Sequence, residues 1–216
     1  MFPYLFGHAQ FNPKDIPFLS VWVICTYYII KIIQNINLNN HSILRLTLIL
    51  SALTALLISI RTLGLLIILQ YLIFLIVYSE THNQNLFSLI RKQIKNIITF
   101  SVSILILIYI MNPIFWHNPI EMINSIVWMG KYQQNICTTT LGKCMKALNL
   151  PASYYFIWLF FKLPIIILFG LILYPLIEKK ISKNIFKNFI IISLLITSSS
   201  ILVIFIILKV AIYDEL

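Results

Sequence analysis

Acidic residues are scarce in this chain: only six Asp and Glu occur among 216 residues, and charged residues of both signs make up 10%. Soluble domains carry about 25% charged residues. The chain therefore lacks the polar surface that would cover a water-soluble globule. What it has instead is 60% hydrophobic residues, 14% aromatic residues and a mean hydropathy of +0.95. This composition indicates an integral membrane protein.

Several chemical signatures are also missing. The sequence has five glycines and three cysteines. It contains no glycine-rich phosphate loop, no nucleophile elbow and no pair of carboxylates within an apolar run that would relay protons. No set of Cys and His has the spacing of a metal site, so we predict no metal site from spacing. The net charge is +10, but the basic residues lie between apolar runs, which favours membrane-flanking charge over nucleic-acid binding.

Apolar runs long enough to approach a membrane span recur along the chain, since about 20 apolar residues cross the hydrocarbon. We predict an all-α polytopic transmembrane helix bundle of about six spans, forming one membrane domain over 1–216. The predicted spans are 16–33, 44–60, 63–78, 97–111, 154–176 and 189–208. Arg61 and Thr62 interrupt one apolar stretch, and because a charge at the bilayer centre is costly, they predict a tight turn between two spans. A single long tilted helix is the alternative. The stretch 79–95 is either a short amphipathic helix or a solvated connection.

The distribution of Lys and Arg predicts the orientation of the spans. If the spans alternate in direction, one side of the membrane receives nine basic residues: Lys31, Arg45, Arg91, Lys92, Lys95, Lys179, Lys180, Lys183 and Lys187. The other side receives six: Lys14, Arg61, Lys131, Lys143, Lys146 and Lys209. The positive-inside rule makes the first side cytoplasmic. The N-terminus and the loop 112–153 are then outside. The first residues do not resemble a cleavable signal peptide, and no organelle signal is visible, so we expect a bacterial inner membrane.

Polar side chains crowd just before the first span, in HAQFNPKDIPF. His8, Lys14 and Asp15 there predict a polar cluster at the outer mouth of a bundle that could hold an anionic head group. The alternative is structural: Asn-Pro opens a turn and Asp15 caps a helix N-terminus.

The outer loop 112–153 is rich in Trp and Tyr, which is typical of an interfacial aromatic belt. His117 and Glu121 lie four residues apart, hence on one face if the segment is helical, where they could transfer a proton. A local hydrogen bond is the alternative. Cys137 and Cys144 are seven apart; they either form a disulfide that closes a small hairpin or remain free thiols.

Lys162 lies within the fifth predicted span, beside Pro164. An ionisable residue within a span is a functional candidate. Snorkelling of its ammonium group to the outer interface is the competing explanation. Arg61 is predicted to be an interfacial anchor.

Five short segments resemble dolichyl-phosphate-mannose-protein mannosyltransferase-like enzymes, which are glycosyltransferase family 39 members of the GT-C superfamily. They are FGHAQFNPKDIPFLS, SIRTLGLLI, NPIFWHNPIE, TTTLGK and LNLPASYYFIWLFFKLPI. The first looks like the stretch after the family's first catalytic loop, the second like its helix–basic turn–helix hairpin, and the others like its outer loop and return to the membrane. The resemblance spans Phe2–Pro175, with departures at Ala152 and at Lys162-Leu163-Pro164.

The resemblance implies a GT-C-like partial membrane domain of a glycosyltransferase. Such an enzyme transfers a sugar from a polyprenyl-phosphate carrier to an acceptor on the outer face. Its expected partners are membrane lipids and the polyprenyl-phosphate-linked sugar, and a divalent cation is left open as a cofactor. The residues implied for a lipid-phosphate or substrate pocket are His8, Lys14, Asp15, Arg61, His117, Glu121 and Lys162.

Family members are more than twice as long, and their principal catalytic Asp lies in an earlier outer loop that has no counterpart here. Asp15 is not its replacement, so the catalytic residues are unknown. We expect a truncated or split member that works with a separately encoded N-terminal portion. The alternatives are an inactive remnant, or a small transporter or membrane-complex subunit; a transporter should place several ionisable or Gly/Pro-broken sites near mid-membrane.

Overall fold

The computed structural model describes residues 14–36, 40–121, 123–125, 127–128, 137–140, 143–146, 149–162 and 185–209. The chain forms two compact units, Met1–Met122 (unit 1) and Ile123–Leu216 (unit 2). The single membrane domain over 1–216 stays a prediction.

Helices make up most of the described chain, which confirms the predicted all-α polytopic bundle. Unit 1 contains α1 (Asp15–Gln34), α2 (Asn40–Ile60), α3 (Leu66–Thr81) and α4 (Leu86–Met111). Unit 2 contains α5 (Ser153–Lys162) and α6 (Ile185–Leu208). Five helical segments are long and apolar enough to cross a membrane: Asp15–Gln34, Ser42–Ile60, Thr62–Thr81, Leu86–Met111 and Asn188–Leu208. They correspond to five of the six predicted spans. Of the remaining one, 154–176, only the part within α5 is described.

The four helices of unit 1 form a ring in which sequence neighbours are not always spatial neighbours. Helix α2 packs against α1 and α4, and α3 packs against the same two helices. The consecutive helices α2 and α3 therefore occupy opposite corners. Helix α3 is the most enclosed, with half of its span buried, whereas only 17% of the α4 span is buried.

The connection between α2 and α3 confirms the tight turn predicted at Arg61. Arg61 is extended (φ −149°, ψ 137°) and is followed by a 3₁₀ turn over Thr62–Leu65. Gly64 within this turn is buried against the end of α2: an added Cβ would lie 2.7 Å from the Ile58 nitrogen and 2.8 Å from the Leu57 carbonyl carbon. Those atoms are backbone and cannot rotate away. The turn therefore needs a residue without a side chain.

Helix α4 is longer than the predicted span 97–111. It begins at Leu86 because the Asn85 side chain caps it, accepting a 3.0 Å hydrogen bond from the Phe87 backbone nitrogen. No Pro or Gly follows to end the helix before Met111. The basic segment that might have been a separate helix or a solvated connection is thus the first part of α4, and the connection proper is limited to 82–85.

Unit 2 contains a small antiparallel hairpin of β1 (Cys137–Thr140) and β2 (Lys143–Lys146). A compact cluster forms around the buried residues Leu150, Tyr154 and Tyr155, with the partly buried Met145, Phe205 and Ile206 packed against it. The cluster joins the strand β2, the start of α5 and the end of α6.

Candidate functional site

The site is built where α1 begins, at the end of unit 1 that carries Arg61. Lys14 precedes the helix and is exposed, while Asp15 is its first residue. Asp15 does not act as the N-cap that the structural alternative assigned to it: the N-cap is Lys14, with no side-chain capping bond. A carboxylate in the first turn is nevertheless stabilised by the helix dipole.

Asp15 and Arg61 form an ion pair, with Arg61 Nη2 2.5 Å from Asp15 Oδ1. The two residues are far apart in the sequence, and the packing of α1 on α2 brings them together. Both side chains keep contact with solvent, 35% of Arg61 and 24% of Asp15 being accessible. Exposed pairs of this kind contribute little to stability, about 0–1 kcal/mol. Their charges remain available to another ligand.

The C-terminus of α4 reaches the same end of unit 1. Asn112 Nδ2 donates to Ser59 Oγ at 3.2 Å, and it also donates to the Ile108 carbonyl oxygen at 2.8 Å. This bond ties the end of α4 to the end of α2, two residues before Arg61. We call the four residues Asp15, Ser59, Arg61 and Asn112 the Arg61 cluster.

Ser59 and Asn112 are members of the Arg61 cluster that we did not select from the sequence. Asn112 carried a signal, since Asn-Pro at the end of an apolar run marks a helix stop. Ser59 carried none, because a Ser in an apolar run is an ordinary helix residue that bonds its own backbone. Ser59 does also donate to the Ala55 carbonyl oxygen, at 3.0 Å.

The segment after α4 folds back on that helix. Trp116 Nε1 donates to the Tyr109 carbonyl oxygen at 2.8 Å, and the Tyr109 hydroxyl donates to the Trp116 carbonyl oxygen at 3.5 Å. Both aromatic side chains are exposed, as residues of an interfacial belt are. His117 and Glu121 are exposed too. His117 lies in a turn, so the helical spacing that would put both on one face does not extend between them.

Other predicted site residues fall partly or wholly outside the described chain. His8 lies outside the described residues. Lys162 is the last residue of α5, and its backbone alone is described. The strand register pairs Cys137 with Lys146 and Thr139 with Cys144. The two cysteines are thus diagonal neighbours on one face, a relation in which side chains are farther apart than in directly opposed pairs. The disulfide stays a prediction.

The interior of unit 1 contains polar side chains that are hydrogen-bonded to one another. Gln70 Nε2 donates to Thr26 Oγ1 at 3.1 Å, joining α3 to α1. In the part of the chain that the structure describes, every buried polar side chain is uncharged.

No group of three His, Cys, Asp or Glu side chains that could hold a metal ion occurs among the described residues. The divalent cation left open by the family resemblance stays a prediction without a described site.

No known protein family, curated protein or solved structure matches this chain. The geometry of the Arg61 cluster and the sequence patterns therefore carry the functional argument.

Proposed function

We propose that this chain is a membrane-embedded part of a glycosyltransferase that uses a polyprenyl-phosphate-linked sugar. In this proposal the phosphate of the carrier binds at the Arg61 cluster, the acceptor is on the outer face, and a separately encoded N-terminal portion supplies the catalytic carboxylate. The observation that carries the proposal is the contact between Asp15 and Arg61, two residues from different segments with the family-like pattern.

The chemistry of the Arg61 cluster suits a lipid phosphate. A guanidinium group offers five N–H donors in a planar fork that matches phosphate oxygens. One nitrogen of Arg61 contacts Asp15, and the side chain keeps 35% of its surface accessible. A phosphate can therefore approach Arg61 without the helices separating. Lys14 next to Asp15 is exposed and supplies a second positive charge.

The position of the Arg61 cluster suits a carrier that is itself a membrane lipid. Arg61 lies between two spans, α2 and α3, where the apolar chain of a polyprenyl carrier could lie against the helices while its phosphate stays at the surface. The exposed Tyr109 lies in the last turn of α4, and the exposed Trp116 lies in the segment that folds back on it. Tyr and Trp suit the membrane interface because one end of the side chain is apolar and the other can hydrogen-bond.

A photoreactive polyprenyl-phosphate probe tests the proposal in membranes that contain the chain. We expect labelling that unlabelled polyprenyl-phosphate sugar displaces and that inorganic phosphate does not. The substitution Arg61→Gln should reduce labelling by about 10- to 150-fold, since a charge-assisted phosphate contact is worth roughly 1.5–3 kcal/mol. Arg45→Gln, at an exposed residue near the start of α2, removes the same charge elsewhere and should leave labelling unchanged.

Transfer is measured separately, with labelled carrier-linked sugar and with the reading frame upstream of this chain co-expressed. Transfer that appears only with the upstream product supports the split enzyme. If the chain binds the carrier but no sugar is transferred even with the upstream product, the chain is an inactive remnant of the enzyme. Neither binding nor transfer, even with the upstream product present, contradicts the proposal.

A further inference from the structure

A second surface lies at the opposite end of unit 1, on the first turns of α4. Helix α4 has 26 residues, which makes it about 39 Å long at 1.5 Å per residue, while the hydrocarbon layer is about 30 Å thick. About six residues therefore extend into the head-group region. The contact of Asn112 with Ser59 fixes the other end of α4 level with the end of α2. The extension is therefore at the N-terminal end, Leu86–Arg91.

This extension presents one apolar face and one basic edge. Phe87, Ile90, Arg91 and Ile94 line a shallow cavity of about 320 Å³ on the helix surface. The opposite face of α4 is the buried one, containing Leu89, Gln93 and Asn96. Phe87 is 75% exposed and Ile94 44% exposed, so the packing of unit 1 does not cover the cavity.

The apolar face continues along the part of α4 that crosses the membrane. Ile98, Val102 and Leu105 lie on the same side of the helix at helical spacing and are all about half exposed. A helix face of this kind contacts acyl chains. The cavity thus lies at the N-terminal end of a lipid-facing stripe on α4. A molecule from the bilayer can reach the cavity along this stripe.

The charged residues beside the cavity are basic and therefore favour a lipid with an anionic head group. Arg91 and Lys95 are four residues apart, so they lie on one side of α4, and both are exposed. Neither makes an ion pair with any described residue. Lys31 and Arg45 lie at the same end of unit 1, on α1 and α2. Basic side chains at the membrane surface attract anionic lipids.

We infer that Phe87, Ile90, Arg91, Ile94 and Lys95 form a binding site for one anionic phospholipid of the bilayer, separate from the Arg61 cluster. The negatively charged phosphate contacts Arg91 and Lys95. The polar part of the head group beyond the phosphate lies over the cavity, and the first methylene groups of an acyl chain lie against Ile94 and continue along Ile98. The site would hold α4 at a fixed depth in the membrane leaflet that carries this end of unit 1.

Native mass spectrometry of the protein, released from nanodiscs that contain equal amounts of phosphatidylglycerol and phosphatidylcholine, tests this inference. We expect one phosphatidylglycerol to be retained in preference to phosphatidylcholine. In Arg91→Gln/Lys95→Gln the preference should fall on the order of tenfold. In the control Lys31→Gln/Arg45→Gln, which loses the same charge at the same end, the preference should persist.

Ile94→Ser provides the apolar test, because Ile94 is 44% exposed and an exposed side chain can be replaced without unfolding the helix bundle. We expect it to shorten retention of phosphatidylglycerol while the preference over phosphatidylcholine remains. Equal retention of the two lipids by the unaltered chain overturns the site. Equal loss of preference in the two double variants overturns it as well, since it would show only a general attraction to positive charge.

Discussion

The two ends of unit 1 are held together by different chemistry. At the Arg61 end, the ties between helices are a partly exposed ion pair, Asp15–Arg61, and the amide–hydroxyl bond between Asn112 and Ser59. At the opposite end, which carries Arg91 and Lys95 and is called the basic end, a buried side-chain amide joins the helices. Gln93, 2% exposed, donates from Nε2 to the Ile36 carbonyl oxygen at 3.2 Å and accepts a 2.6 Å bond from Asn96.

The difference separates residues that hold the fold from residues that can bind a ligand. The amides of Gln93 and Asn96 are buried and hydrogen-bonded inside unit 1, out of reach of a ligand at the surface, and the cations Arg91 and Lys95 at their end are exposed on the helix surface. At the Arg61 end, by contrast, the charged groups of Asp15 and Arg61 themselves join the helices, and both remain accessible to solvent. A ligand at the Arg61 end must therefore compete with or join an existing contact, whereas a ligand at the basic end does not.

The largest expected effect comes from Gly64, which sets the position of Arg61. Gly64→Ala places a Cβ within 2.8 Å of the backbone of Leu57 and Ile58, and overpacking of this kind costs about 3 kcal/mol. We expect a corresponding decrease in the free energy of unfolding, measured by SDS titration in bicelles. Ala52→Val adds bulk at an exposed position of α2 and should cost less than about 0.5 kcal/mol. Equal stability of Gly64→Ala and the unaltered chain would contradict the tight turn.

The buried tie at the basic end gives the next largest effect. Gln93→Leu leaves the Ile36 carbonyl and the Asn96 amide without their partner, and we expect a loss of about 2 kcal/mol. Because no charge is involved, the loss should be the same at low and high salt. Gln84→Leu makes the same change at an exposed position and serves as the control. A loss for Gln93→Leu no larger than for Gln84→Leu would show that the amide tie is not structural.

The ion pair at the Arg61 end should behave in the opposite way. Asp15→Asn is expected to cost at most about 1 kcal/mol, and the cost should decrease as salt screens the pair. Glu80→Gln removes an exposed carboxylate at the other end of unit 1 and should be neutral. The exchange Asp15→Arg/Arg61→Asp restores a pair of opposite charges and should recover part of the loss. A salt-independent cost for Asp15→Asn would remove the contrast between the two ends.

The smallest effect is expected midway between the ends. Gln70→Leu removes the interhelical bond to Thr26, and such bonds contribute about 0.6 kcal/mol on average within membranes. Thr26 keeps its 3.0 Å bond to the Trp22 carbonyl oxygen, which limits the loss. Gln34→Leu, at the exposed end of α1, is the matched control. A cost of several kcal/mol for Gln70→Leu would mean that the interior of unit 1, not its ends, holds the helices together.

Local features of the sequence were enough to place most of the described helices. A span requires about 20 apolar residues, and the cost of a charge in hydrocarbon explains why Arg61 marks a turn. The start of α4 was harder to predict, because the polar segment before Ile97 is compatible with both a solvated connection and a helix. The cap at Asn85 and the buried contacts of Gln93 decide in favour of the helix.

The candidate site was predictable by residue type but not by arrangement. Asp15 and Arg61 could be selected from the sequence because charges are rare in it, yet nothing in the sequence indicates that they contact each other. Helix α3 shows why: it is apolar on nearly every side, and nine of its residues are buried around its circumference. A helix without an amphipathic stripe does not reveal which neighbour it packs against.

The sequence by itself therefore determined that the chain is a membrane protein, approximately where its described spans lie, apart from the start of α4, and that it turns at Arg61. Each of these properties depends on the transfer of a local segment from water to hydrocarbon. The tertiary structure decided that α2 and α3 sit at opposite corners, that Asp15 meets Arg61, and that Gln93 reaches Ile36. These contacts depend on side-chain packing between distant segments, which hydropathy does not encode.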